Sequence, residues 1–194
     1  MFVRNGIKLT GTTIINGTPY EISWFLGASP TQLANLGVKY VPEPIYPDPE
    51  IYTYINNPDG TINITERTPE DLAARFVAKQ EAKWEEIRTE RERITWNGVW
   101  IPSVSKWIHT DTFSRTQWMA MVMMGANLPA INWKTMDGTF VTTTPALAGA
   151  VFQAVATADT TIFGIAEYHR QQMLASATPS TYDFSGLWPQ TFGG

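Results

Sequence analysis

His109, Asp111 and Ser114 place an imidazole, a carboxylate and a hydroxyl within six residues. Acyl transfer uses those three groups when they converge in space beside an oxyanion hole. Here they crowd the start of one apolar stretch, so capping is the simpler expectation: Asp111 as an N-cap and His109 as the end of a strand. His169, with Glu167 and Tyr168 beside it, falls on an apolar stripe and reads as a satisfied core or interface group. Two histidines and no cysteine leave too few ligands at suitable spacing for a transition metal, so no metal and no cofactor is expected. No phosphate loop, dinucleotide glycine pattern or nucleophile elbow occurs, and nothing marks a glycosidase carboxylate pair. Trp96, Trp100, Trp107, Trp118 and Trp133 fall mostly on positions expected to face a core rather than to stack on sugars. The expectation is a protein that is not an enzyme.

The elements that would hold these residues are clearer than any chemistry. Thr110 and Asp111 precede Phe113, Trp118, Met121 and Val122 at helical spacing. Met119, Ala120, Met123 and Met124 make that helix apolar almost all round, which predicts burial on several sides. Gly125-Ala126-Asn127 and Pro129 end it. Ile131 and Trp133 then alternate with polar residues, as Phe140 does across Asp137-Gly138, a pair suited to a type I′ hairpin turn. Thr144-Pro145 opens a long helix, with Leu147, Val151, Ala154, Ala158, Ile162, Ile165, His169 and Met173 on one face, ending near Ala175.

The segments TDTFSRTQ, MVMMGANLPAINWKTMDGTFV, TPALA and YHRQQM together resemble the C-terminal domain of phage tail proteins known as domain-of-unknown-function 4376. The likeness covers roughly residues 70–185. The order of helix, W-K-x-x-D-G-x-F hairpin and long helix is also similar to phage tail-fibre assembly proteins. What the resemblance implies is a phage tail setting, not a reaction.

Composition agrees with a protein of contacts. The chain has 194 residues, 43% of them hydrophobic, with eight Trp and nine Phe. Only 16% are charged, against about 25% in ordinary domains, so permanent partners are expected. A net charge of −4 argues against nucleic acid. The first residues lack the apolar core of a signal peptide, and no run of about 18 uninterrupted apolar residues predicts a membrane span.

Residues 1–37 read as a β-rich attachment region with a hairpin at Asn16-Gly17, strand-forming residues through Ile22 and Trp24, and a short helix from Gln32 to Leu36. Residues 38–67 read as a connector rich in proline (Pro42, Pro44, Pro47, Pro49) plus a hairpin tipped by Asp59-Gly60. Residues 68–94 read as a charged helix opened by Thr68-Pro69. Ala73, Val77, Gln80, Trp84, Ile87, Arg91 and Ile94 follow four-three spacing on it, fitting either a short coiled coil or packing on the next domain. Residues 95–176 read as a compact α+β domain beginning with an Asn97-Gly98 hairpin between Ile94-Thr95-Trp96 and Val99-Trp100-Ile101. Residues 177–194 read as an extended aromatic tail, pinned to its own body or to a neighbour.

The fold class expected is α+β: an N-terminal β-hairpin region, a proline-rich connector, a charged helix and a C-terminal domain of hairpins and two or three helices. The candidate interface residues are Val77, Trp84, Ile87, Arg91, Ile94, Tyr182, Phe184, Trp188 and Phe192. The function expected is a virion structural protein of the phage tail, in the fibre or baseplate region, made in the host cytoplasm. Its partners would be other tail proteins and copies of itself, a trimer being suggested by the resemblance, with neither nucleic acid nor membrane. The alternative is a tail-fibre assembly chaperone, and a glycan-binding tip protein is a third class.

Overall fold

Asn16 and Gly17 both take positive φ, 52° and 80°, the geometry a type I′ turn demands. They join β3 (Thr12–Ile15) to β4 (Thr18–Glu21), with Ile15 opposite Thr18. The computed structural model of the protein describes residues 1–193. They divide into two units, Met1–Arg75 and the residues from Phe76 onward. The architecture is α+β.

In the first unit β1 (Phe2–Arg4) lies between β2 (Ile7–Lys8) and β5 (Val38–Tyr40), both antiparallel to it. Two expectations fail here. Ile22 and Trp24 belong to helix α1 (Ile22–Gly27), not to a strand. Phe25 on that helix is buried against the rings of Phe2 and Tyr20, and such burial overrides β propensity. The connector starts later than Val38, because residues 38–40 pair with β1. Val41 N–H still donates to Met1 O at 2.8 Å, but Pro42 has no N–H to continue the ladder. Between them, α2 (Pro30–Asn35) has a complete capping box from Ser29 and Gln32. The hairpin of β6 (Tyr52–Asn56) and β7 (Ile62–Glu66) closes the unit's list of strands.

Helix α3 (Pro69–Trp96) opens in the first unit and continues through the second. Thr68 Oγ1 accepts from Asp71 N–H at 3.2 Å, as its position before Pro69 implies. The expected Asn97-Gly98 hairpin is not formed. Ile94, Thr95 and Trp96 are helical, and Gly98 at φ 86° stops the helix instead. The two roles look alike in sequence because both need a residue with positive φ. A Cβ on Gly98 would press on the flexible end of Met136 and stand 3.2 Å from the Ile108 carbonyl, so the positive φ is the stronger demand for glycine here. β8 (Val99–Ile101) therefore pairs forward with β9 (Lys106–Ile108).

Asp111 caps α4 (Thr112–Met124), and Thr144 caps α5 (Pro145–Ala175) through Leu147 N–H. Between them β10 (Asn132–Lys134) pairs with β11 (Phe140–Thr142). Gly138 alone of the Asp137-Gly138 pair has positive φ, so the turn is longer than the expected two-residue type I′. Asp137 organises it. Its Oδ1 accepts from Thr135 Oγ1, Thr139 Oγ1 and Thr139 N–H, and its Oδ2 from Lys106 Nζ at 2.6 Å. The Lys106 ammonium first, then the two hydroxyls, hold its pKa well below the usual carboxylate range.

The main core of the second unit joins Val99, Ile101 and Ile108 to Trp118, Met121, Leu147, Ala148 and Val151. Helix α5 is long and apolar enough to cross a membrane by length and composition, although Asp159 interrupts its apolar run. Its buried residues, from Leu147 to Met173, run the length of the helix as the spine of this unit.

Candidate functional site

Asp111 and Ser114 do local work. Asp111 Oδ1 accepts from Ser114 N–H at 3.0 Å, and Ser114 Oγ donates to Asp111 Oδ2 at 2.6 Å. Those bonds, the side-chain one first, lower the Asp111 pKa. Ser114 is buried as part of the cap, where its hydroxyl is spent on Asp111. No group of three or more His, Asp or Glu is disposed to hold a metal among the described residues.

His169 is held on both sides. It is 3% exposed, Nδ1 meets Tyr182 Oη at 2.9 Å, and Nε2 meets the Gly186 carbonyl at 2.9 Å. A carbonyl only accepts, so Nε2 carries a proton. The rings of Tyr168, Tyr182, Phe184 and Trp188 surround the imidazole. Burial, then the neighbouring Tyr168 and Asp183, raise the Tyr182 pKa. Trp188 Nε1 donates to Phe184 O at 2.7 Å, and Phe192 N–H and Asn97 O close the far end. The tail is thus fastened to its own unit: Tyr182, Phe184 and Trp188 pack on Ile87, Ala166 and Met173, and Phe192 rests on Trp107.

The four-three stripe of α3 is used by the same body. Gln80 Nε2 donates to Leu174 O at 3.3 Å, Ile87 and Ile94 are 0% and 2% exposed, and Arg91 stacks on Phe163 at 4.5 Å. Trp84 is half-buried, with the Arg170 guanidinium 5.0 Å from its ring. A coiled coil needs these positions open to a second helix. Of the two alternatives that the spacing allowed, the chain adopts packing within itself. Val77 remains exposed.

The open apolar surface lies elsewhere. Helix α4 buries Ser114, Trp118 and Met121, while Phe113, Met119, Val122, Met123 and Met124 stay exposed. The expected burial on several sides is corrected: α5 and the hairpins cover the side that carries Trp118 and Met121, and the rest of the helix stays open. Between α4 and α5 runs a groove lined by Met119, Phe152, Val155 and Ala156, with Trp96 and the Arg115–Asp159 pair beside it. Arg115 binds both carboxylate oxygens of Asp159 at 2.6 and 2.9 Å, and donates to Thr95 O and Thr110 O as well. Not all the tryptophans face a core: Trp118 is buried and Trp107 and Trp133 half-buried, but Trp96 and Trp100 are exposed. The sequence signal for this face was present: an all-round apolar helix with a single charged residue is either surrounded or left to meet a partner.

Residues 78–186 match the family described as Domain of unknown function (DUF4376), more than half of the chain. The chain belongs to that family. The DUF4376 stretch takes in most of α3, both hairpins, α4, α5 and the tail as far as the carbonyl that receives His169. The first unit lies outside it. No curated protein and no solved structure matches the chain.

Proposed function

We propose that this DUF4376 protein is a non-enzymatic structural component of a phage tail, in the fibre or baseplate region, where it assembles and attaches tail parts. The phage setting comes from the resemblance of its TDTFSRTQ, NWKTMDGTF and YHRQQM segments. The observation that carries the assembly reading is the uncharged apolar surface of α4, with Met123 82% and Phe113 71% exposed. Large exposed apolar side chains gathered on one element mark a contact surface. Its partners are other tail proteins and copies of itself, and its place is the virion tail after synthesis in the host cytoplasm. Mass spectrometry of purified virions tests the reading, which expects this chain at a stoichiometric level.

A second reading is favoured by Met119, Met123 and Met124 together. Methionine is the adaptable residue of surfaces that accept varied apolar segments. A tail-fibre assembly chaperone would use them so and then leave. That protein would be plentiful in infected cells and missing from the virions.

A further inference from the structure

The two edges of the β2–β1–β5 sheet are finished differently. On β2, Lys8 N–H donates to Pro58 O at 3.0 Å, so a loop closes that side. On β5, Met1 and Val41 exchange both backbone hydrogen bonds, at 2.7 and 2.8 Å. Residues of an antiparallel ladder alternate, so Lys39, opposite Val3, also bonds towards β1. Val38 and Tyr40 therefore turn their N–H and C=O groups outward. No strand or loop among the described residues takes up that outward row.

Beside the row lies a hollow of about 580 Å³, with Ala28, Leu33 and Ala34 on one bank and Val38, Lys39 and Tyr40 on the other. Successive side chains of a strand point to opposite faces, so a hollow that meets three in a row follows the strand's edge. Val38 and Leu33 are buried in one cluster, which places α2 on the Val38 face. Lys39, on the other face, is exposed and belongs to none of the ion pairs among the described residues.

Backbone and charge together select the occupant. A row of N–H and C=O groups at strand spacing is matched by the backbone of an extended segment. A second copy is a poor one. Laying β5 on β5 in the register that uses both Val38 and Tyr40 sets Lys39 directly opposite Lys39 of the other copy, and like charges so placed repel. A segment with a carboxylate at that position gains an attractive cross-strand pair instead. Its residues on either side point to the face of Leu33 and Ala34, which suits small apolar side chains.

We propose that the β5 edge accepts an extended acidic segment of another protein as a further strand of this three-stranded sheet. The segment runs antiparallel to β5, with a carboxylate opposite Lys39 and an apolar residue on each side of it. The site uses none of the α4 residues on which the assembly reading stands, and gives the first unit a partner of its own.

The test uses the full chain and a fluorescein-labelled peptide, Thr-Val-Glu-Val-Thr, followed by fluorescence anisotropy. The peptide should bind saturably. Replacing its glutamate by lysine should weaken binding about fivefold. Methylating the backbone nitrogens of both valines removes the donors, keeps the side chains and should weaken binding about tenfold. Lys39→Glu, at an exposed position, should reverse the preference between the glutamate and lysine peptides with unchanged circular dichroism. A glutamate peptide that does not bind at millimolar concentration would overturn the proposal. So would a methylated peptide that binds as well as the parent, or a wild type that favours the lysine peptide. Self-association of the free chain that the peptide displaces would put a second copy on this edge and overturn it too. Each of these failures leaves the tail-component reading standing, since that is decided separately by the virion mass spectrum.

Discussion

The two flanks of α5 carry similar side chains in opposite circumstances. Along one, Ala166, His169 and Met173 are sealed by α3 from one side and by the aromatic tail from the other. Along the other, Phe152 and Ala156 border α4 and look out past Met119 to solvent. The sealed flank needed a charged helix with a half-apolar stripe and a tail carrying Tyr182, Phe184 and Trp188. The bare flank has no such cover from within the unit. Apolar content therefore does not distinguish a core from a contact surface; what matters is whether the chain supplies its own lid.

The comparison can be broken by measuring how much each flank contributes to stability. Ile87→Ala on the sealed side should cost about 2–5 kcal/mol in denaturant unfolding, since it leaves a cavity beneath the tail. If it costs under about 1 kcal/mol, that flank is not packed as described. His169→Leu should cost about 1–3 kcal/mol, because the Gly186 carbonyl and Tyr182 hydroxyl lose their partner in a buried place. Limited proteolysis should then cut the tail first. Asp111→Ala removes a helix cap and should cost about 1 kcal/mol. At the bottom of the scale, Met123→Glu on the bare side should change the stability of the single chain by no more than about 0.5 kcal/mol. A loss as large as that of Ile87→Ala would mean that the bare face is covered after all.

Acid and alkali probe the same contrast. Asp111 and Asp137 have folded pKa values below their ordinary ones. Their contribution is complete above the ordinary value of about 4 and declines as pH falls towards the folded values. Tyr182 has its pKa raised, so the neutral phenol's contribution holds below about pH 10 and fades as pH rises through the folded value. Alkaline titration should therefore loosen the tail, while leaving the α4–α5 face as it was; Tyr182→Phe should abolish that part of the effect.

Much of the frame was legible because its signals are local. Thr68-Pro69, Asp111 and Thr144-Pro145 announce helix starts that depend on nearby side chains and backbone groups alone. Asn16-Gly17 formed its hairpin for the same reason. Asn97-Gly98 misled because a dipeptide that favours positive φ serves equally to end a helix, and Ile94 is buried in the last turn of α3 rather than in a strand. The α3 stripe was visible, but four-three spacing does not say which surface fills it. The open groove was the hardest to see: Met119 and Trp118 are adjacent in sequence, and only the positions of α5 and the two hairpins make one buried and the other free.

The bond between Gln80 and Leu174 joins residues 94 apart, and that between Asn97 and Phe192 joins residues 95 apart. Links of such span are slow to make, because the intervening chain must give up its freedom before they form. The hairpins and helices of this protein should therefore appear early in refolding, with the tail's closure the late event that sets the overall rate.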